Sequence, residues 1–110
     1  MGLTKSEIFT DEQNQLATAL KAIAHPARIA ILEHIINAKA CICGDLVTEL
    51  GLAQPTISQH LKELKNAGII QGTIDGASVC YCIDPVVWEK LGKQIGGFFS
   101  AYDLKPNTCC

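Results

Sequence analysis

Six cysteines are the residues of this chain with the most chemistry to offer, and four of them are spaced to act together. Cys41 and Cys43 flank Ile42, and Cys80 and Cys82 flank Tyr81. Side chains alternate between the faces of an extended strand, so each pair shares one face while Ile42 and Tyr81 take the other. Were the two segments paired, directly opposed side chains would stand roughly 4.5 to 5.5 Å apart at Cβ, near enough for several thiolates to converge on one soft ion. Cys41, Cys43, Cys80 and Cys82 are therefore the candidate metal ligands, a set suited to trivalent arsenic or antimony or to a soft divalent metal such as Cd²⁺. Two other readings stay open: paired thiols that oxidise instead of binding an ion, and cysteines serving as small core residues. Cys109 and Cys110 are adjacent near the end of the sequence, where they could bind arsenic, supply a further ligand or act as an exposed redox pair.

The stretch that these thiols adjoin is CICGDLVTELGLAQPTISQHLKELKNAG, residues 41–68. It reads as two short helices joined by a tight turn, a helix-turn-helix. In its second half Ile57, Leu61 and Leu64 recur at helical spacing and point into a core. Thr56, Ser58, Gln59 and Lys62 fall off that stripe and face outward, as donors and acceptors of the kinds that meet base edges or phosphates in a major groove. Leu46, Val47 and Leu50 form the apolar side of the bracing helix, and Gly51 supplies its left-handed stop.

The remaining elements position this reader. Thr10 and Gln13 have capping-box spacing, and Leu16, Leu20 and Ile23 follow at helical intervals, so a first helix covers residues 11–24. Pro26 opens a second helix to residue 37, whose Ile29, Ile31, Leu32, Ile35 and Ile36 are expected to be almost wholly buried. His25 and His34 read as cap and surface residues, and Arg28 as a structural partner in preference to a phosphate contact. The run IIQGTIDGASVCYCI is a β-hairpin turning at Asp75-Gly76, a wing whose Val79, Tyr81 and Ile83 face inward. In winged helices a short first strand pairs with the wing, which would bring residues 40–43 beside Cys80 and Cys82. Asp84-Pro85 starts a last helix to residue 102, striped with Trp88, Leu91, Ile95, Phe98 and Phe99. That much aromatic area on a terminal helix suggests a second subunit, with packing inside the monomer as the alternative.

Length and composition bound the rest. At 110 residues and 48% hydrophobic content, residues 1–110 make one domain, with 1–9 and 103–110 as flexible tails. No apolar run reaches the roughly 20 residues that span a bilayer, and the N-terminus lacks the pattern of a secretion signal. A cytoplasmic protein with reduced thiols is expected, without membrane contact. The formal charge of −2 opposes a nucleic-acid partner unless Lys62 and Lys65 present a local basic surface, and then binding should be salt-sensitive. No Gly-rich phosphate loop or Ser/His/Asp grouping supports enzymatic activity. A small thiol oxidoreductase would need C-x-x-C at a helix start within a βαβ framework, which the sequence lacks.

The element order, the segment LKAIAHPARIAILEHI, the reader LGLAQPTISQHLKELKNAGII and the wing ending in CYCI resemble the ArsR/SmtB winged-helix repressors across nearly the whole chain. The resemblance implies a mostly α, winged helix-turn-helix homodimer in the order α-α-α-α-β-β-α. It also implies that the dimer sits on double-stranded operator DNA without a cofactor and releases it when a metal, metalloid or reactive species binds. By the same resemblance Gln54, Thr56, Ser58, Gln59 and His60 enter the major groove, Asp75-Gly76 touches the neighbouring backbone, and the first and last helices form the dimer interface. In the arsenic-sensing branch a cysteine pair and a third thiol one turn on precede the reader. Here Cys41 and Cys43 lie one residue towards the N-terminus of that place, and Val47 stands at the third thiol's position. The zinc-sensing branch places histidines on the last helix, and this one contains none.

Overall fold

The Thr10 hydroxyl accepts from the Gln13 amide at 3.1 Å, and the Gln13 side-chain oxygen accepts from the Thr10 N–H at 2.9 Å. This reciprocal pair satisfies two of the amides that a helix start leaves open. In the computed structural model, which describes residues 8–43, 50–73 and 80–102, helix α1 then runs Asp11–Ile23. Helix α2 covers Pro26–Ala38, with proline in its first turn and the His25 Nδ1 accepting from the Ala27 amide at 3.0 Å. Strand β1 is Ile42–Cys43, helix α3 is Gln54–Asn66, and strands β2 and β3 are Ile70–Thr73 and Cys80–Ile83. Helix α4, Pro85–Ser100, is capped by Asp84, whose carboxylate accepts from the amides of Val86 and Val87 at 3.0 and 3.2 Å.

Local signals set these starts within a residue or two of expectation. The bracing helix, the wing tip at Asp75-Gly76, Val79, the tail with Cys109 and Cys110, and most of the N-terminal lead-in lie outside the described residues. Of the brace only Leu50 is described, as helical, followed by Gly51 with the expected left-handed φ of 70°.

The three strands form one antiparallel sheet in the order β1-β3-β2. Ile42 faces Tyr81 and Cys43 faces Cys80 across one ladder; Ile70 faces Ile83, and Gly72 faces Tyr81, across the other. Gly72 sits at φ 121°, and a Cβ there would run into the carbonyl oxygen of Cys80. Only glycine lets β2 lie this close to the central strand.

The core lies between α2, α3 and one sheet face: Ile31, Leu32 and Ile35 meet Ile57, Leu61, Leu64, Ile69, Ile70 and Tyr81. The α3 stripe is buried as its spacing predicts. The α2 stripe is not, since Ile29 and Ile36 remain 47% and 46% exposed. Its five apolar residues span a wider arc than one packed face covers, so the two at the edges stay in solvent. Helix α4 rests on the core through Leu91 and on α1 through Gln94, whose amide donates to the Gln15 side chain at 3.3 Å. Its Trp88, Phe98 and Phe99 are 37%, 60% and 68% exposed, an apolar surface of the kind that marks an interaction site. No helix among the described residues is long and apolar enough to cross a membrane.

Candidate nucleic-acid interface and thiol pair

Helix α3 presents two chemically different faces because its apolar residues fall three and four apart. Ile57, Leu61 and Leu64 anchor it in the core, while Gln54, Thr56, Gln59 and Lys62 are exposed and Ser58 is half-buried. The Gln54 amide donates to Ser58 Oγ at 3.2 Å, and that of Gln59 to Glu63 Oε1 at 3.0 Å. These i,i+4 bonds hold the amides along the outer face. No side chain caps the helix N-terminus at Ala53, so its first amides lie open beside Thr56.

His60 departs from the expected outward set. It is 9% exposed, being three residues from Ile57 and four from Leu64, on the buried stripe. Its Nδ1 accepts from Arg28 Nε at 3.2 Å, and its ring lies 4.3 Å from that of His25. Arg28 in turn donates from Nη1 to the carbonyls of Ala22 at 3.1 Å and Lys21 at 3.5 Å. Burial first, then the proximity of His25 and Arg28, push the His60 pKa down, with Glu63 opposing. A neutral ring with an unprotonated Nδ1 is what Arg28 requires. His60 thus ties the reader to the α1–α2 corner. The signal available in the sequence was its 57/60/64 spacing, which outward-facing residues would not share.

The cysteines meet as the strand alternation implies. With Cys43 opposite Cys80, the same register carries Cys41 to the level of Cys82. The Cys41 thiol is hydrogen-bonded to Cys82, and this bond, then burial, then the charge of Cys82 raise its pKa. The Gln71 amide donates to Cys82 Sγ at 3.9 Å. Cys41 and Cys82 are free thiols, whereas Cys80 is in a disulfide, which differs from the expectation of reduced thiols throughout. A disulfide sulfur is not a thiolate ligand, so the expected four-thiolate set is not assembled in this state. Among the described residues no group of three or more His, Cys, Asp or Glu side chains stands together as a metal site. The Cys43 side chain lies outside them. The described arrangement is a vicinal dithiol beside a disulfide, able to bind one soft centre through two sulfurs or to oxidise.

A family model described as bacterial regulatory protein, arsR family, matches residues 25–71. The chain is 44% identical over 62 residues to the transcriptional repressor SmtB of Mycobacterium tuberculosis, which is 56% of this chain and 45% of that repressor. The chain therefore spans less than half the length of that relative. It is 36% identical over 83 residues to an uncharacterized helix-turn-helix transcriptional regulator of Methanocaldococcus jannaschii, covering 74% of this chain and 92% of the relative. The structure superposes on NolR from Sinorhizobium fredii with a TM-score of 0.61 at 25% identity, over 93% of this chain and 96% of that one.

Proposed function

The chain belongs to the arsR family of bacterial regulatory proteins, and on that premise we propose that it is a DNA-binding transcriptional repressor that leaves its operator when its cysteines capture a thiophilic ion. The inducer is trivalent arsenic or antimony, or a soft divalent metal. Gln54, Thr56, Ser58, Gln59 and Lys62 meet the major groove, and His60 keeps them in place from behind. A homodimer through α1 and α4, covering Trp88, Phe98 and Phe99, presents two readers to successive grooves. Because the chain carries a formal charge of −2, binding rests on local lysines and falls steeply with salt.

The observation that carries the inducer reading is the meeting of Cys41, just before β1, with Cys82 of the paired strand β3, at the entry to the helix-turn-helix. Reduction of the disulfide at Cys80 adds its thiolate, and Cys43 opposite it completes the set. Ion binding then favours a dimer geometry in which the readers no longer match the operator, with coupling of about 1 to 3 kcal/mol. Titrating the reduced protein on its own upstream DNA with arsenite, Cd²⁺ and Zn²⁺ tests this. Serine at both Cys41 and Cys82 should abolish arsenite-driven release, and release that persists removes the proposal.

The disulfide at Cys80 favours a second reading, a thiol-redox repressor. A persulfide RSSH would oxidise Cys41 and Cys82 to a disulfide, itself leaving as RSH and H₂S. Release by a persulfide but not by arsenite, in separate assays, selects this reading.

A further inference from the structure

We propose that His60, Arg28 and Glu63 form a proton-operated latch behind the reader, which holds α3 in its DNA-binding setting while His60 is neutral and lets the operator go when His60 takes up a proton. The proposal rests on the repressor reading above and adds an input that uses no cysteine.

The Arg28 guanidinium is held on two sides. Its Nε donates to His60 Nδ1 at 3.2 Å, and its Nη1 to the carbonyls of Ala22 at 3.1 Å and Lys21 at 3.5 Å. A histidine nitrogen accepts only while it carries no proton. A proton on His60 Nδ1 turns the acceptor into a donor and sets two cations against each other, with the His25 ring 4.3 Å away. His25 Nδ1 accepts from the Ala27 amide at 3.0 Å, so the start of α2 keeps the two rings together.

A second setting for Arg28 lies in a hollow of about 360 Å³ between α1, α2 and α3, whose charged lining residues are Lys21, Arg28 and Glu63. Glu63 is half-buried, and among the described residues it forms no ion pair. Its Oε1 accepts instead from the Gln59 amide at 3.0 Å. A guanidinium displaced from His60 finds in Glu63 a carboxylate that it can bind through two parallel N–H groups, and it then competes with Gln59 for that partner. Gln59 is one of the residues proposed to meet the major groove, so the proton is felt on the outer face of α3.

The groups that face His60 fix the direction of the response. Burial disfavours its charged form most, His25 and Arg28 add to this, and Glu63 opposes; Lys21 of α1 lines the same hollow as Arg28 and brings a further positive charge. The latched ring therefore protonates below the ordinary histidine range, whereas a ring released to solvent protonates near about pH 6.5. The latched form binds fewer protons, so it is favoured above that value and gives way as pH falls. One proton changes affinity by at most about tenfold per pH unit, and a dimer carries a latch behind each reader. Whole-molecule electrostatics predicts the opposite trend. Acid makes a chain of formal charge −2 more positive, which should tighten its hold on phosphates.

The test follows the full chain, reduced and kept in chelator, on its own upstream DNA by fluorescence anisotropy at constant ionic strength. Circular dichroism at each pH verifies that it stays folded. Affinity should fall about tenfold or more from about pH 7.5 to about pH 5.5. His60→Asn offers an amide oxygen and takes no proton, and should lose the fall. Glu63→Gln keeps an acceptor for Gln59 but removes the carboxylate, and should lose at least part of it. His34→Asn, outside the cluster, should keep it whole. NMR of the His60 ring nitrogens reads the latch without any substitution: Nδ1 should be unprotonated at about pH 7.5 and gain its proton in step with DNA release. An affinity that stays level or rises towards acid overturns the latch and leaves the repressor reading intact. So does a fall retained in His60→Asn, one unchanged in Glu63→Gln, one lost in His34→Asn, or a ring that stays neutral throughout release. A folded chain that holds its upstream DNA at no pH overturns the repressor reading, and the latch with it.

Discussion

Replacing His60 by alanine takes away the acceptor beneath the Arg28 Nε, 3.2 Å away, and leaves a partly buried guanidinium with one donor unsatisfied. A hydrogen bond from a charged donor contributes about 1.5 to 3 kcal/mol, and the donor left behind adds its own desolvation cost. In a domain of this size each kcal/mol moves the unfolding midpoint by about 4 to 8 °C, so His60→Ala should lower it by about 10 °C. Arg28→Met keeps the aliphatic stem but removes the bonds to His60, Ala22 and Lys21. A cycle combining the two should show coupling of about 1.5 kcal/mol or more, measured by urea unfolding at one fixed protein concentration because association shifts apparent stability. His60→Asn places an amide oxygen near the position of Nδ1 and should recover part of the loss. Single effects that simply add, within about 0.5 kcal/mol, would refute the latch.

The same ring predicts a pH dependence. The folded state holds the His60 pKa below its ordinary value through burial, then His25 and Arg28, while the unfolded chain titrates near about 6.5. The unfolded state therefore binds more protons in between, so this contribution to stability is complete above about pH 6.5 and is lost as pH falls towards the folded pKa; urea midpoints should drop from about pH 7 to about pH 5.5, and less so in His60→Asn. Leu64 is fully buried, and Leu64→Ala should cost about 2 to 5 kcal/mol by urea unfolding. Gly72→Ala sets a methyl against the Cys80 carbonyl at a φ of 121°; it should unpair β2 from β3, seen as lost amide protection at Cys82 and at Asp84, whose N–H donates to the Ile69 carbonyl at 2.9 Å. Asp84→Ala removes the acceptor of two α4 amides and should lower stability by about 1 kcal/mol.

Features fixed by neighbours in sequence were legible, and features fixed by distant partners were not. Thr10 with Gln13, Pro26, Gly51 and Asp84-Pro85 mark their boundaries through bonds made within a turn. Alternation around Ile42 and Tyr81 put the thiols on one sheet face, and the β1–β3 register agrees. His60 needed more than its helix. Its environment comes from Arg28, 32 positions earlier, and from His25, neither of which the α3 periodicity reveals. The arc of α2 covered by the core likewise depends on what packs against it, so Ile29 and Ile36 were misplaced by a pattern that counts apolar residues without their neighbours. The oxidation state at Cys80 is chemistry that residue order does not encode.

The position of the thiols explains why so small a site would matter to the reader. Strand β3 is central: Tyr81 is in the core against α2 and α3, while Cys80 and Cys82 point to the other sheet face. Strand β1 is only two residues long at the sheet edge, a pairing too short to be strong by itself. It connects the C-terminus of α2, just after the left-handed Lys39, to the segment that leads through Gly51 into α3. A covalent bridge from Cys41 to Cys82, whether through arsenic or as a disulfide, would clamp this weak edge to the most firmly held strand. The bridge restricts where α2 ends and where the helix-turn-helix begins, while α3 itself stays fastened by Ile57, Leu61, Leu64 and the Arg28–His60 bond. The element that the bridge constrains is then the edge and not the packing of α3, so in the proposed homodimer ligand binding should alter how the two copies of α3 are set relative to each other more than the conformation of α3 itself.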